Sequence, residues 1–182
     1  SFTFRLWSSS GSFSLFNVAN SNYSFNDVSR RGFDMEFGVP HTYDFRTTHK
    51  FKYESVHMND YDTNYHLYTY RFQANLDRRD QRENPTTGIY NTLSIEQGFK
   101  FKPSAIDITK VDLTLRKFIP LFKKQVLFLK SKFGYFRSPS MGSTTTMLDE
   151  YYYVGGSRTV RGYNDGSPFA YGNKQVLGTI EY

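Results

Sequence analysis

The stretch "YTYRFQANLD" at residues 68–77 repeats with a period of two. Tyr68, Tyr70, Phe72, Ala74 and Leu76 fall on one face of an extended chain, and Thr69, Arg71, Gln73 and Asn75 on the other, because successive strand side chains point to opposite sides. A helical period would mix the two sets. The same alternation governs "RGFDMEFGVP" at 31–40, where Phe33, Met35, Phe37 and Val39 oppose Asp34 and Glu36. Further alternating runs cover 1–7, 44–56, 89–99, 106–118, 124–136 and 175–182, so eight strands are expected with no helix between them. Asn91 interrupts one apolar face, and Thr47 and His49 dilute another.

The chemistry of the two faces decides between a soluble sandwich and a membrane barrel. Rings are abundant and spread along the whole chain, with 18 Phe and 15 Tyr among 182 residues. They cluster on the apolar face and near strand ends, as in interfacial aromatic girdles. The opposite face carries full charges: Asp34, Glu36, Lys50, Lys52, Glu54, Arg71, Asp112, Arg116, Lys130 and Lys132. Such a set suits a wet lumen and not a dry core. The runs are about 10–13 residues long, beyond the usual 5–6 of globular sheets and close to a tilted membrane span. Turns are tight at 40–43 and near Pro120, whereas 8–28 and 138–174 read as long Ser-, Asn- and Gly-rich loops. Short turns at one end and long loops at the other complete the pattern of an all-β, transmembrane antiparallel β-barrel.

Composition narrows the chemistry. No cysteine is present, which removes disulfides and thiolate metal sites. The net charge of +6 comes without a basic cluster or motif, so no nucleic acid is implied. No segment approaches the ~18 apolar residues of a spanning helix. The chain opens directly on the alternating "SFTFRLW", as an excerpt of a longer chain would. His41, His49, His57 and His66 lack metal-binding spacing, so no metal is expected. Asp149 and Glu150 are adjacent and, on an extended chain, face opposite ways, which argues against a paired acid–base role. "GGSRTVRG" lacks the Lys-Ser/Thr of a phosphate loop, and no nucleophile elbow occurs. The expectation is no cofactor and no enzymatic activity.

Two motifs carry a resemblance. "GGSRTVRGYNDG" at 155–166 holds four glycines and two arginines, follows the aromatic "YYYV", and precedes a strand ending "TIEY". "NLDRRDQRENPTTG" at 75–88 places Asp77, Arg79 and Asp80 ahead of Pro85 and Gly88, and is followed by "TLSIEQG". Together they resemble the long extracellular loop and a periplasmic turn of the outer-membrane protein assembly factor family, the BamA-like barrels with their bacterial surface antigen and two-partner secretion relatives. The resemblance spans 1–182 as part of one barrel domain. It implies a barrel of about sixteen strands of which this chain holds about eight, with the loop at about 138–174 folding into the lumen.

By the same resemblance Arg161, flanked by Val160, Gly162 and Tyr163, lies against the inner wall, and its carboxylate partner is Glu181. The planar fork of arginine suits bidentate contact with a carboxylate. Gly155 and Gly156 let the loop turn. Alternation independently points Val176, Ile180 and Tyr182 at lipid and Thr179 and Glu181 inward. Asp77, Arg78, Asp80 and Arg82 read as stabilising their own turn. The implied function is insertion of unfolded outer-membrane proteins through a lateral seam. The implied partners are the lipid bilayer, those substrates and periplasmic accessory lipoproteins. The implied location is the outer membrane of a Gram-negative bacterium, with an organelle outer membrane as the alternative. A polypeptide-secreting transporter of the same family, or a barrel anchoring a passenger such as a patatin-like lipase, fits the same residues.

Overall fold

The computed structural model describes residues 2–6, 9–18, 28–58, 63–122, 125–139, 150–156, 159–160 and 170–182. Its strands are β1 (Phe2–Leu6), β2 (Ser9–Val18), β3 (Val28–Pro40), β4 (Phe45–Met58), β5 (Thr63–Asp77), β6 (Gly88–Gly98), β7 (Thr109–Pro120), β8 (Val126–Arg137), β9 (Tyr152–Val154), β10 (Ala170–Gly172) and β11 (Lys174–Glu181). Nine form one antiparallel sheet in the order β1-β2-β3-β4-β5-β6-β7-β8-β11, and β9 pairs with β10 apart from it. Among the described residues β1 and β11 are the sheet's two edges and do not pair with each other.

Eight expected strands become nine because residues 9–18 are a strand and not a loop. "SSGSFSLFNV" has a composition that signals a turn in a water-soluble protein. Here Phe13 and Leu15 stand opposite Met35 and Phe33 on the apolar face, which leaves Ser10, Ser12 and Ser14 for the polar one. Within the expected loop at 138–174 the chain also forms β9 and β10. The turn end needs few residues: Pro40 and Phe45 bound one turn, Pro120 and Val126 another.

Polarity is inverted relative to a soluble sheet. Leu15, Val176 and Ile180 are 72%, 74% and 75% exposed on the outer face, while the inner-face carboxylates Glu54 and Glu96 are 6% and 5% exposed. β3, β4 and β5 run 13, 14 and 15 residues, more than the ~9–11 that cross a bilayer at a tilt. Away from the turn at 40–45, β3 and β4 run to the loop end of the sheet, as β5 does. There the inner positions cease to be polar: Val56, Tyr65, Leu67, Ile108, Phe136 and Tyr152 form a buried apolar cluster. The expectation of a wet inner face therefore holds for the middle and turn end only. At the loop end the chain covers that face with its own segments, so apolar side chains there can be kept from water.

One of those covers is the β6–β7 connection. β6 stops opposite Thr69, leaving the first part of β5 without a strand partner on that side. Residues 99–106 return along it: Phe99 N–H donates to Tyr68 C=O (2.9 Å), His66 N–H to Ser104 C=O (3.0 Å) and Ile106 N–H to His66 C=O (3.0 Å). The backbone groups that a shorter β6 would orphan are thereby satisfied. Asn91, the polar interruption on the outer face of β6, accepts the Arg116 N–H with its side-chain oxygen (3.2 Å) and so stands in for a ladder bond.

Candidate functional site

The register places charges of opposite sign side by side on the inner wall. Arg71 on β5 faces Glu96 on β6, with Nε and Nη2 at 3.0 and 2.5 Å from one carboxylate oxygen. Lys52 on β4 reaches Glu54 at 2.9 Å and Glu96 at 3.9 Å. Arg30 on β3 contacts Glu54 at 3.5 Å. Nearer the turn end Lys50 meets Asp34 at 3.3 Å. Arg30, Glu54, Lys52, Glu96 and Arg71 thus form a continuous chain of alternating charge across β3–β6, with Lys50 and Asp34 as a separate pair beside it. Each carboxylate in it is held by at least one cation, as a half-buried charge must be.

Onto this wall sits part of the long loop. Arg30 donates to Glu150 Oε1 through both terminal nitrogens, at 3.1 and 3.2 Å. Lys110 on β7 donates to the Glu150 C=O at 3.3 Å and lies 4.0 Å from its carboxylate. Two residues on, Tyr152 is buried over Gly134 of β8, with Lys110 Nζ 5.2 Å and Lys132 Nζ 6.0 Å from its ring centre. A Cβ at position 134 would lie 2.6–3.0 Å from three atoms of that ring. Only glycine admits so close an approach. Gln175 on β11 adds a bond from Nε2 to the Tyr153 C=O at 3.3 Å. The loop segment thus touches β3, β7, β8 and β11, gathering strands far apart in sequence.

Beyond that segment Gly155 and Gly156 have φ of 136° and 95°, in the region glycine favours. The Gly155 N–H donates to Thr159 Oγ1 (2.8 Å), and Val160 bridges back to Gly156. Of the expected motif Val160 is described, while Arg161, Gly162 and Tyr163 lie outside the described residues. Glu181 stands on the inner face of β11, opposite Phe128.

The turn motif is brought together as one unit. Arg79 clamps Asp77 bidentately at 2.7 Å for both contacts, and its guanidinium lies 4.5 Å from the Tyr90 ring centre. Asp80 accepts from the Thr86 hydroxyl (2.6 Å) and from the amides of Thr86 (3.0 Å) and Thr87 (3.2 Å). The Thr86 hydroxyl above all, helped by the amides of Thr87, Thr86 and Gln81, outweighs desolvation and holds its carboxyl down at about 2. Gly88, at φ 110°, approaches the Arg78 backbone too closely for any Cβ. Pro85 follows Asn84, which carries a positive φ of 50°. Arg78 also pairs with Asp44 of the neighbouring turn, and the Thr42 hydroxyl, then Arg78, lowers the Asp44 carboxyl. The two turns are therefore stapled to each other.

The histidines are engaged with neighbours. His49 shares a hydrogen bond with Tyr70 (2.7 Å), His66 with Tyr53 (3.2 Å), His57 with Asn64 (2.8 Å) and His41 with Thr47 (2.8 Å). Arg30, Tyr152 and Gly134 are wall-and-loop residues that reading the sequence did not single out, and Glu150 enters there only as half of an acid–base pair. Gly134 carried a signal: a lone glycine at an inner position of the alternating "KSKFGYF" marks a close backbone approach.

The Omp85 superfamily domain matches residues 1–182. Among solved structures the chain is similar to BamA from Haemophilus ducreyi lacking POTRA domains 1-3, with a TM-score of 0.74 and 16% identity. The match covers 91% of this chain and 37% of that one, so the likeness is one of fold over part of a longer protein. No curated protein matches.

Proposed function

The chain belongs to the Omp85 superfamily, and from that premise we propose that it forms barrel wall of an outer-membrane protein assembly and insertion factor in a Gram-negative bacterium. The observation that carries the reading is the loop segment Glu150–Tyr153 seated on a charged inner wall whose other side is an exposed aromatic face. An anchor or a passive pore needs the aromatic face alone. A barrel that must open at one seam while passing strands to lipid needs its remaining wall braced, because every backbone group in hydrocarbon must stay paired.

In this mechanism the turn end faces the periplasm, where the stapled Asp44–Arg78 turns meet accessory lipoproteins. Unfolded β-barrel precursors pair, strand by strand, with a free edge at the seam. The long loop spans the lumen and ties β3, β7, β8 and β11 together as the seam moves. Arg161 adds a further brace against Glu181, which stands on the inner face of the strand that follows the loop. No covalent step is required of the protein.

The test is reconstitution of the full-length protein in vesicles, with a urea-denatured barrel precursor added outside. Insertion faster than in empty vesicles, read as heat-modifiable folded product, supports the assignment. Passage of an extended polypeptide into the vesicles without insertion would replace it with a secretion transporter. Neither activity would reduce the barrel to an anchor.

A further inference from the structure

We propose that the outer face of β3–β5, together with the β6–β7 connection, binds an anionic membrane lipid, with an acyl chain in an aromatic groove and a phosphate headgroup at Lys100 and Lys102. The inference rests on the membrane-barrel reading above. It starts from the returning segment 99–106. Because that segment pairs with β5 beyond the end of β6, Phe99 and Phe101 stand as a ridge at the loop end of the outer face. Phe101 meets Tyr68 edge-on at 5.5 Å and Phe99 at 5.7 Å. Phe33, Phe51, Tyr53 and Tyr68 supply the floor, and the groove between holds about 660 Å³ with an almost wholly apolar lining.

The floor is not flat. Ring pairs step across the strands at Phe33–Tyr53 (5.7 Å), Tyr53–Tyr68 (4.9 Å) and Phe51–Tyr70 (4.9 Å). The groove crosses β3, β4 and β5 and is closed on one side by the ridge of the returning segment. The outer face of β6 and β7, by contrast, is largely aliphatic (Ile89, Leu93, Ile95, Val111, Leu113, Leu115) and carries no such ridge.

Charge fixes the kind of lipid. Lys100 and Lys102 are exposed and alternate with the ridge rings. Among the described residues neither has an ion-pair partner. The Ala105 N–H donates to the Lys102 C=O (2.9 Å), closing a turn around Pro103 that holds the second lysine at the ridge's end. Two exposed ammonium groups, on residues that flank the groove-lining Phe101, complement an anionic phosphate carried on acyl chains. A zwitterionic head carries its own cation beside its phosphate, so the lysines favour the lipid whose head has a net negative charge. Basic residues near a membrane surface attract anionic lipid by charge alone, and the groove adds a fixed place for the chain.

The experiment uses the full-length protein in detergent, titrated with phosphatidylglycerol and, in parallel, phosphatidylcholine of the same acyl chains. Bound lipid is counted by native mass spectrometry. Retention of the anionic lipid should exceed that of the zwitterionic one by about tenfold. Lys100→Gln with Lys102→Gln should erase the preference while leaving zwitterionic binding unchanged, and Phe101→Ala should weaken both. Equal retention of the two lipids, or a preference that survives the double lysine change, overturns the proposal. A protein that stays in solution without detergent overturns the membrane reading instead, so the two failures are distinct.

Discussion

Gly134→Val isolates the contact on which the loop's seat depends. Position 134 lies on the inner face of β8, between Asp112 of β7 and Gln175 of β11. Ladders on both sides prevent the strand from retreating. A Cβ there would stand 2.6, 2.8 and 3.0 Å from Cζ, Cε1 and Cε2 of Tyr152, so the ring must leave. Valine is a better strand former than glycine, which means β8 itself gains from the change and any loss comes from the clash. Burial of an aromatic side chain is worth about 1.5–3 kcal/mol, and the two lysines near the ring add about 0.5–1 kcal/mol. With Glu150 still tied to Arg30, the net cost of undocking should be about 2–3 kcal/mol, or roughly a 30- to 150-fold rise in the open population.

Limited proteolysis of the full-length protein in vesicles reads that population, because cleavage of a transiently opened segment tracks its opening equilibrium. Gly178→Val serves as the control, since a Cβ at position 178 meets nothing within 4 Å. Tyr152→Ala alone should open the loop as well. Adding Gly134→Val to it should cost nothing more, since the two changes remove one contact. If Gly134→Val is cleaved at the wild-type rate in a folded barrel, Tyr152 does not sit on Gly134 and the braced-wall argument fails with it.

Four further outcomes are open to test, three from the same geometry and the last from the family resemblance of the 155–166 motif. Phe72→Arg should cost about 2–4 kcal/mol if near the bilayer midplane, whereas Gln73→Arg on the inner face should be mild; equal tolerance in a detergent-folding assay would count against the barrel. Glu96→Leu, which takes Arg71's carboxylate partner away while Lys52 keeps Glu54, should cost about 1.5–3 kcal/mol in the same assay, and more than Glu36→Leu, whose carboxylate is 43% exposed. The Asp80 carboxyl is depressed to about 2, so its hold on the turn is fully present above the ordinary carboxylate range near 4 and disappears as pH falls through about 2. Amide exchange at Thr86 and Thr87 should show protection that persists at pH 3 and fades below 2, and Asp80→Asn should remove that dependence. Arg161→Ala and Glu181→Ala should each impair complementation, Arg161→Lys should rescue poorly because an ammonium lacks the planar fork, and Arg158→Ala, at the other arginine of "GGSRTVRGYNDG", should be silent; damage from Arg158→Ala with a silent Arg161→Ala would place the brace on the wrong arginine.

How far the fold could be read in the sequence depends on whether two opposite faces demand different residues. Where they do, as in residues 68–77, alternation reports both faces at once and the strand is unmistakable. β2 escaped because serine satisfies a wet inner face as well as it satisfies a loop, so "SSGSFSLFNV" leaves only Phe13 and Leu15 to report a strand. The apolar cap at the loop end escaped for the opposite reason. In β5, Tyr65 and Leu67 point inward while Tyr68 and Tyr70 point outward, and a run apolar on both faces has no period. What assigns Tyr65 and Leu67 to a core is their cover, the segments around Ile108 and Tyr152, which arrive from 40 to 90 residues away in the chain. Glu150 was invisible on the same ground. Its neighbour in sequence argues about faces of a strand, but its partner Arg30 lies 120 residues earlier, and no local pattern records that distance. Short-range periodicity therefore resolves the wall of such a barrel, whereas the contents of its lumen are fixed by contacts between loops and wall that only the register of the strands brings together. Gly134 is where the two kinds of information meet: its place in the strand is local, and its lack of a side chain makes sense only once Tyr152 is seen to lie on it.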